Sequence, residues 1–219
     1  PLNSTTPPSN TTILPLAIPI PHLQPTYPYP NAIIPSLHTT CTTYYPTSLL
    51  ILNSLYPFYI SLPLHSTRRF FMILRQLHSV FSVATQVQFS GLPPASANTT
   101  CRLELALPAA GYQHIGGDPV LDVWSVQREA GAGASWASDA TENGTAVLFG
   151  AVSGEERALT ASRVFGSGVV VVGERACNET LTFQMGLRDN GGVVVQYWDF
   201  VNLAPPAGPV QGWRVVVGC

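Results

Sequence analysis

Thr180-Leu181-Thr182-Phe183-Gln184-Met185-Gly186-Leu187 alternates large apolar side chains with polar or small ones without a break. In an extended chain Leu181, Phe183, Met185 and Leu187 fall on one face and Thr182, Gln184 and Gly186 on the other, the period of a half-buried strand. Asp189-Asn190-Gly191-Gly192 follows, residues that tolerate left-handed backbone angles, and the run from Val193 to Phe200 resumes with β-branched and aromatic side chains. The pattern predicts a hairpin. Pro205, Pro206 and Pro209 then exclude strand interior, because proline donates no ladder hydrogen bond. Gly212 to Cys219 reads as a final strand that ends on a cysteine.

The same texture extends upstream. Thr85 to Gly91 places Val87 and Phe89 on one face, and Cys101 to Pro108 alternates Leu103, Leu105 and Leu107 against Arg102, Glu104 and Ala106. Tyr112 to Pro119 reads as a loop, followed by a strand from Val120 in which Val120, Asp122, Trp124 and Val126 share a face. Gly131 to Asn143 is loop-like, Thr145 to Val152 is strand-like, and Gly168 to Gly173 lacks alternation, as a strand buried on both faces does. Glu155 to Val164 is the one candidate for a short helix. Eight or nine short strands with Gly, Pro and Asn turns predict an antiparallel β-sandwich over residues 81–219.

Residues 1–80 have another composition. All 18 glycines lie at or beyond Gly91, all 12 acidic residues at or beyond Glu104, and 13 of the 20 prolines before residue 64. Prolines fix their own backbone and restrict the preceding residue, so this part reads as low-complexity, extended or disordered chain. It is either a Ser/Thr/Pro-rich stalk or non-coding sequence read as protein. The opening on Pro1 reads as a fragment or a processed product. Ser48 to Leu64 is apolar but shorter than the ~20 residues a membrane span needs, and Pro57 and Pro63 interrupt it. No stable membrane span is expected. Arg68 to Leu74 opens like a secretory signal, yet Arg75, Gln76 and His78 break the apolar stretch. Residues 1–90 carry a charge of +3 and 91–219 a charge of −5, with no lysine in the chain. Neither part offers the clustered cations that displace phosphate counterions, so nucleic acid is excluded as a partner.

Within residues 81–219 lie Cys101, Cys177 and Cys219, with Cys41 alone in the amino-terminal part. Three cysteines leave one internal disulfide. Cys101 begins one strand and Cys219 ends another, which favours Cys101–Cys219; Cys177–Cys219 is the second choice. The spacings of 76 and 42 residues fit no metal-finger pattern, and no metal or other cofactor is expected. Glycosylation triplets begin at Asn98, Asn143 and Asn178, with two more at Asn3 and Asn10. Cysteines and sequons together point to an extracellular or cell-wall location, the alternative being cytoplasmic.

Trp124, Trp136, Trp198 and Trp213 are expected mainly to fill the core, with loop-borne Trp136 the candidate surface aromatic. Asp118, Asp122, Glu155 and Asp199 are the carboxylates a glycan-cleaving enzyme would draw on, and His114 with Asp118 the candidate base and orienter. No Gly-x-Ser-x-Gly elbow or phosphate loop accompanies them, and the expectation is a non-enzymatic protein.

Three stretches together resemble the fungal But-two carboxy-terminal domain: Phe89 to Pro108, Gly173 to Leu187, and Val193 to Cys219. The family pattern is a Thr-Cys strand ending near proline, a second cysteine before a strand, an aromatic-Asp-aromatic segment, a Pro-Gly turn and a terminal cysteine. The likeness covers residues 80–219. The chain departs from it at Cys177-Asn178, where Cys-Pro is common, and at Ala97, where the turn has no glycine. The resemblance implies the sandwich and brings no catalytic residues. The family is named for a protein that binds the activating enzyme of a ubiquitin-like modifier, while many members look secreted or wall-associated. The expectation is therefore a secreted or wall-associated binding or structural module whose partner is a protein or a cell-wall glycan. The alternative is an intracellular adaptor of a ubiquitin-like pathway.

Overall fold

The computed structural model describes residues 41–61, 70–95, 99–138, 146–189, 191 and 193–219, all within one compact unit, His38–Cys219. Among them are twelve strands: β1 (Thr42–Tyr44), β2 (Ser48–Asn53), β3 (Phe70–Arg75), β4 (Ser82–Ser90), β5 (Thr100–Ala106), β6 (Gln113–Gly116), β7 (Val120–Val126), β8 (Val147–Ser153), β9 (Val169–Ala176), β10 (Thr180–Leu187), β11 (Gln196–Val201) and β12 (Gly212–Val217). One helix, α1 (Glu156–Phe165), stands between β8 and β9. The strands form an antiparallel sandwich: a four-stranded sheet in the order β1-β12-β5-β9, and an eight-stranded sheet in the order β6-β11-β3-β4-β10-β7-β8 with β2 along β4.

Nine strands follow residue 80, as the alternation predicts, but the boundary placed at residue 80 does not hold. β1, β2 and β3 belong to the sandwich. Leu49, Leu50 and Leu52 are buried on both faces of β2, which is why Ser48–Asn53 reads as an apolar run without alternation. The low-complexity reading of residues 1–40 lies outside the described residues. Among the described residues no helix is long and apolar enough to cross a membrane.

The corrected boundary also corrects the hairpin. β10 and β11 are not neighbours, because β3 and β4 lie between them: β3 pairs with β11 from Phe70↔Val201 to Arg75↔Gln196, and β4 pairs with β10 from Thr85↔Met185 to Ser90↔Thr180. Val193, Val194 and Val195 stay outside the ladder and are exposed. Where β3 diverges from β4 the fully buried Thr85 stands in for a backbone partner: its hydroxyl donates to the Met72 carbonyl at 2.6 Å and accepts from the Met72 N–H at 3.2 Å. The loop expected over Tyr112–Pro119 contains edge strand β6, paired with β11. β9, expected to be buried on both faces, is a sheet edge with Val171 53% exposed.

The core lies between the sheets. Leu103, Leu105, Trp213 and Val215 of the smaller sheet face Phe71, Ile73, Val87, Phe89, Phe183, Met185, Trp198 and Phe200 of the larger. Phe71 joins the layers, with its ring centroid 4.7 Å from that of Phe200 and 5.7 Å from that of Trp213. On the outer face of the smaller sheet, buried Glu104 accepts from Arg102 of its own strand at 2.7 Å and from Arg214 of neighbouring β12 at 2.8 Å, so its charge is matched from two sides.

The disulfides are Cys101–Cys177 and Cys41–Cys219, not Cys101–Cys219 or Cys177–Cys219. β12 does lie beside β5, with Val217 opposite Cys101. The partner of each cysteine is nevertheless set by the neighbour on the other side. Cys177 follows β9, whose Ala176 pairs with Thr100; Cys41 precedes β1, whose Thr42 pairs with Val217. Each bridge therefore joins two strand ends already hydrogen-bonded side by side, with Cα atoms 5.0 and 5.2 Å apart. Cys41 precedes a strand of the sandwich, so four cysteines and not three belong to the domain, and they pair completely.

Candidate functional site

Part of the outer face of the eight-stranded sheet is covered, though among the described residues no second sheet lies there. Residues 127–138, after β7, fold back over β2, β4 and β10. Ala134 exchanges backbone hydrogen bonds with Ser61 at 2.8 and 3.2 Å, and the Ala137 N–H donates to the Pro57 carbonyl. Ala134 joins Leu50, Leu52 and Ala84 in a small apolar cluster, with Trp136 against it. The rest of the cover is polar. Gln88 Nε2 donates to Thr182 Oγ1 at 2.9 Å and to the Glu129 carbonyl at 3.0 Å, while its Oε1 accepts from the Gly131 N–H at 2.9 Å. Gln86 Nε2 donates to Gln184 Oε1 at 2.8 Å. Thr182 and Gln184, expected to be the wet face of a half-buried strand, are each 3% exposed for this reason.

Beside this cover the sheet opens into a cleft of about 270 Å³, lined among others by Trp124, Trp136, Asp122, Gln184, Arg188 and Arg75. The strand pattern places most of them. Leu121 and Val123 point into the core, so Asp122 and Trp124 point out, opposite Gly186 and Gln184 of β10. Arg188 takes Asp122 in a bidentate grip, Nη2 to Oδ1 at 2.7 Å and Nε to Oδ1 and Oδ2 at 3.0 and 3.2 Å. Hydrogen bonding to Asp122, and then its charge, hold the Arg188 guanidinium above its ordinary pKa. Arg75, at the end of β3, donates to the carbonyls of Leu187 and Arg188 at 2.5 and 2.7 Å and lies 3.5 Å from Asp189. The cleft thus has half-buried indoles and two matched charge pairs.

Trp136 is a partly surface aromatic, as expected of a loop residue, but its ring is half-buried against the apolar cluster. Trp198 and Trp213 are fully buried core residues. Trp124, expected in the core, is half-buried on the outer face and lines the cleft; its alternation with Leu121 and Val123 was the signal that set it there.

His114 does not pair with Asp118. It stands opposite Asp199 across β6 and β11, Nδ1 3.0 Å from Oδ1, with its side chain 82% exposed. A carboxylate-oriented imidazole can pass a proton, but on an open surface water competes for each transfer. Among the described residues no three of His, Cys, Asp and Glu converge as a metal site would require. A second, larger cavity of about 820 Å³ is lined by residues that include Arg128, Arg175, Thr180 and the exposed sequon residue Asn178. Asn98 and Asn143 lie outside the described residues. No known family model matches the chain, and no curated protein matches it.

Proposed function

We propose that this chain is a non-enzymatic, secreted or wall-associated fungal binding module of the But-two carboxy-terminal type, with the outer-face cleft as its ligand seat. The observation that carries the binding reading is the pairing of Trp124 and Trp136 with two charge pairs in one recess of the sheet. Such a site holds a ligand by shape and hydrogen bonds without presenting an unpaired acid or base to it. The oxidising compartment is supported by the two disulfides, which cytosolic glutathione would keep reduced. The exposed Asn178 sequon points the same way.

The test is the intact mass of the natural protein from culture medium and from lysate, before and after deglycosylation and reduction. The expected species is in the medium, loses a glycan and gains about four mass units on reduction, two for each disulfide. A reduced, unmodified species confined to the lysate overturns the reading in favour of an intracellular adaptor.

A further inference from the structure

The charges of the cleft decide what kind of ligand suits it. Asp122 and Arg188 neutralise each other through a bidentate contact, and Arg75 is matched by Asp189 and by two backbone carbonyls. An anionic or cationic ligand gains little there, since it must compete with a partner already in place. Hydroxyl groups face no such competition. A carboxylate oxygen that accepts from arginine retains further lone pairs, and Arg188 reaches Asp122 through Nε and Nη2, so its Nη1 is not spent on the pair. Trp124 and Trp136 add what a polar cleft lacks, flat apolar surface on which the C–H face of a sugar ring can rest.

Resting on the binding-module reading, we propose that this cleft seats one ring of a neutral hexopyranose glycan, stacked on Trp124 or Trp136 with its hydroxyls on Asp122 and Arg188. Its volume of about 270 Å³ lies below the range of drug-sized pockets, which suits a single ring of a longer chain. The seat is preorganised. Trp136 is packed against Leu50, Leu52, Ala84 and Ala134, and Gln184 is hydrogen-bonded and buried, so little side-chain freedom is lost on binding.

Gly186, which also lines the cleft, supplies a way to fill it without removing any of these groups. A Cβ at this position would meet nothing nearer than the Ala84 Cβ, at 4.0 Å, and its backbone is ordinary strand. Gly186→Val is therefore expected to keep the fold, since it has room for its Cβ, and to fill the recess with a residue that favours strands.

The experiment is titration calorimetry of the intact, oxidised protein with three probes of equal length: a β-1,3-linked glucose hexamer, a galacturonate hexamer and a glucosamine hexamer. The neutral hexamer is expected to bind most tightly, and Gly186→Val and Trp136→Ala each to weaken it by about tenfold or more. The melting temperature of Gly186→Val stays at the parent value. Tighter binding of a charged hexamer overturns the inference while leaving the binding module in place. Neutral binding unchanged by Gly186→Val overturns it too, since the sugar then sits elsewhere. If none of the three binds, the sugar assignment falls, and the secretion measurement still decides the module separately.

Discussion

Phe183 and Gln184 are neighbours in β10, are 1% and 3% exposed, and point in opposite directions. The Phe183 face of the sheet is closed by a second sheet and is almost wholly apolar. Its partners there are rings, with Phe89 and Phe149 at centroid distances of 6.3 and 5.0 Å. The Gln184 face is closed in part by an irregular segment, and an irregular segment has unpaired backbone groups that must be satisfied once buried. The Gln88 side chain satisfies two of them, the Glu129 carbonyl and the Gly131 N–H, and donates to Thr182 as well. Equal burial thus has two different causes. One face is dry because apolar surface is excluded from water, the other because a loop is hydrogen-bonded down onto it. The second kind of cover ends where the loop ends, and the cleft opens beside it.

The largest effect is expected on the apolar face. Phe183→Ala should lower the unfolding free energy by about 3–5 kcal/mol, read from the urea midpoint, because the two-sheet core has nothing to refill the space. A loss below ~1 kcal/mol would mean that the inner face is not close-packed.

On the polar face Gln88→Leu keeps the volume and removes the clamp. The expected loss is about 1–3 kcal/mol, with faster hydrogen exchange at the Gly131 amide, since the carbonyl of Glu129 and the N–H of Gly131 lose their buried partner. Stabilisation by leucine would erase the distinction between the faces.

Arg128 gives the smallest effect and the opposite sign. Its Nη2 reaches Ser48 Oγ at 3.3 Å, while Nε and Nη1 are buried without a partner, and burial lowers its pKa to about 10. A base whose folded pKa lies below its unfolded value costs stability at every pH below the folded value, and the cost lessens as pH rises through it. Arg128→Met is therefore expected to raise stability by about 1 kcal/mol, equally at pH 6 and pH 9, both below that pKa. A destabilised variant would show that the guanidinium is compensated in solution.

The alternation in β4, β5, β7 and β10 was legible because these strands pack one face on the core, and each such residue carries its direction in its position. β2 was not legible for the opposite reason: with both faces covered, SLLILN has no period, and its proline-rich surroundings suggest disorder. β3 separates β11 from β4 and β10, and Cys41, the partner of Cys219, directly precedes β1, so the strand order and the disulfide pairing both depend on these early strands. In the cleft, Asp122 and Trp124 were set on one face by their strand, whereas Arg75, Arg188 and Trp136 come from three separate segments and share no local pattern.

What the sequence alone determined is the class of fold, the face of most strands after residue 80, and the turn-rich joints between them. These follow from local rules, the two-residue period of a strand and the backbone limits of proline and glycine. The tertiary structure alone decided strand order, disulfide partners and the cleft. Each of these depends on which distant segments lie side by side, and the free energy that selects among such arrangements belongs to the packed whole, with no share of it written in any single stretch.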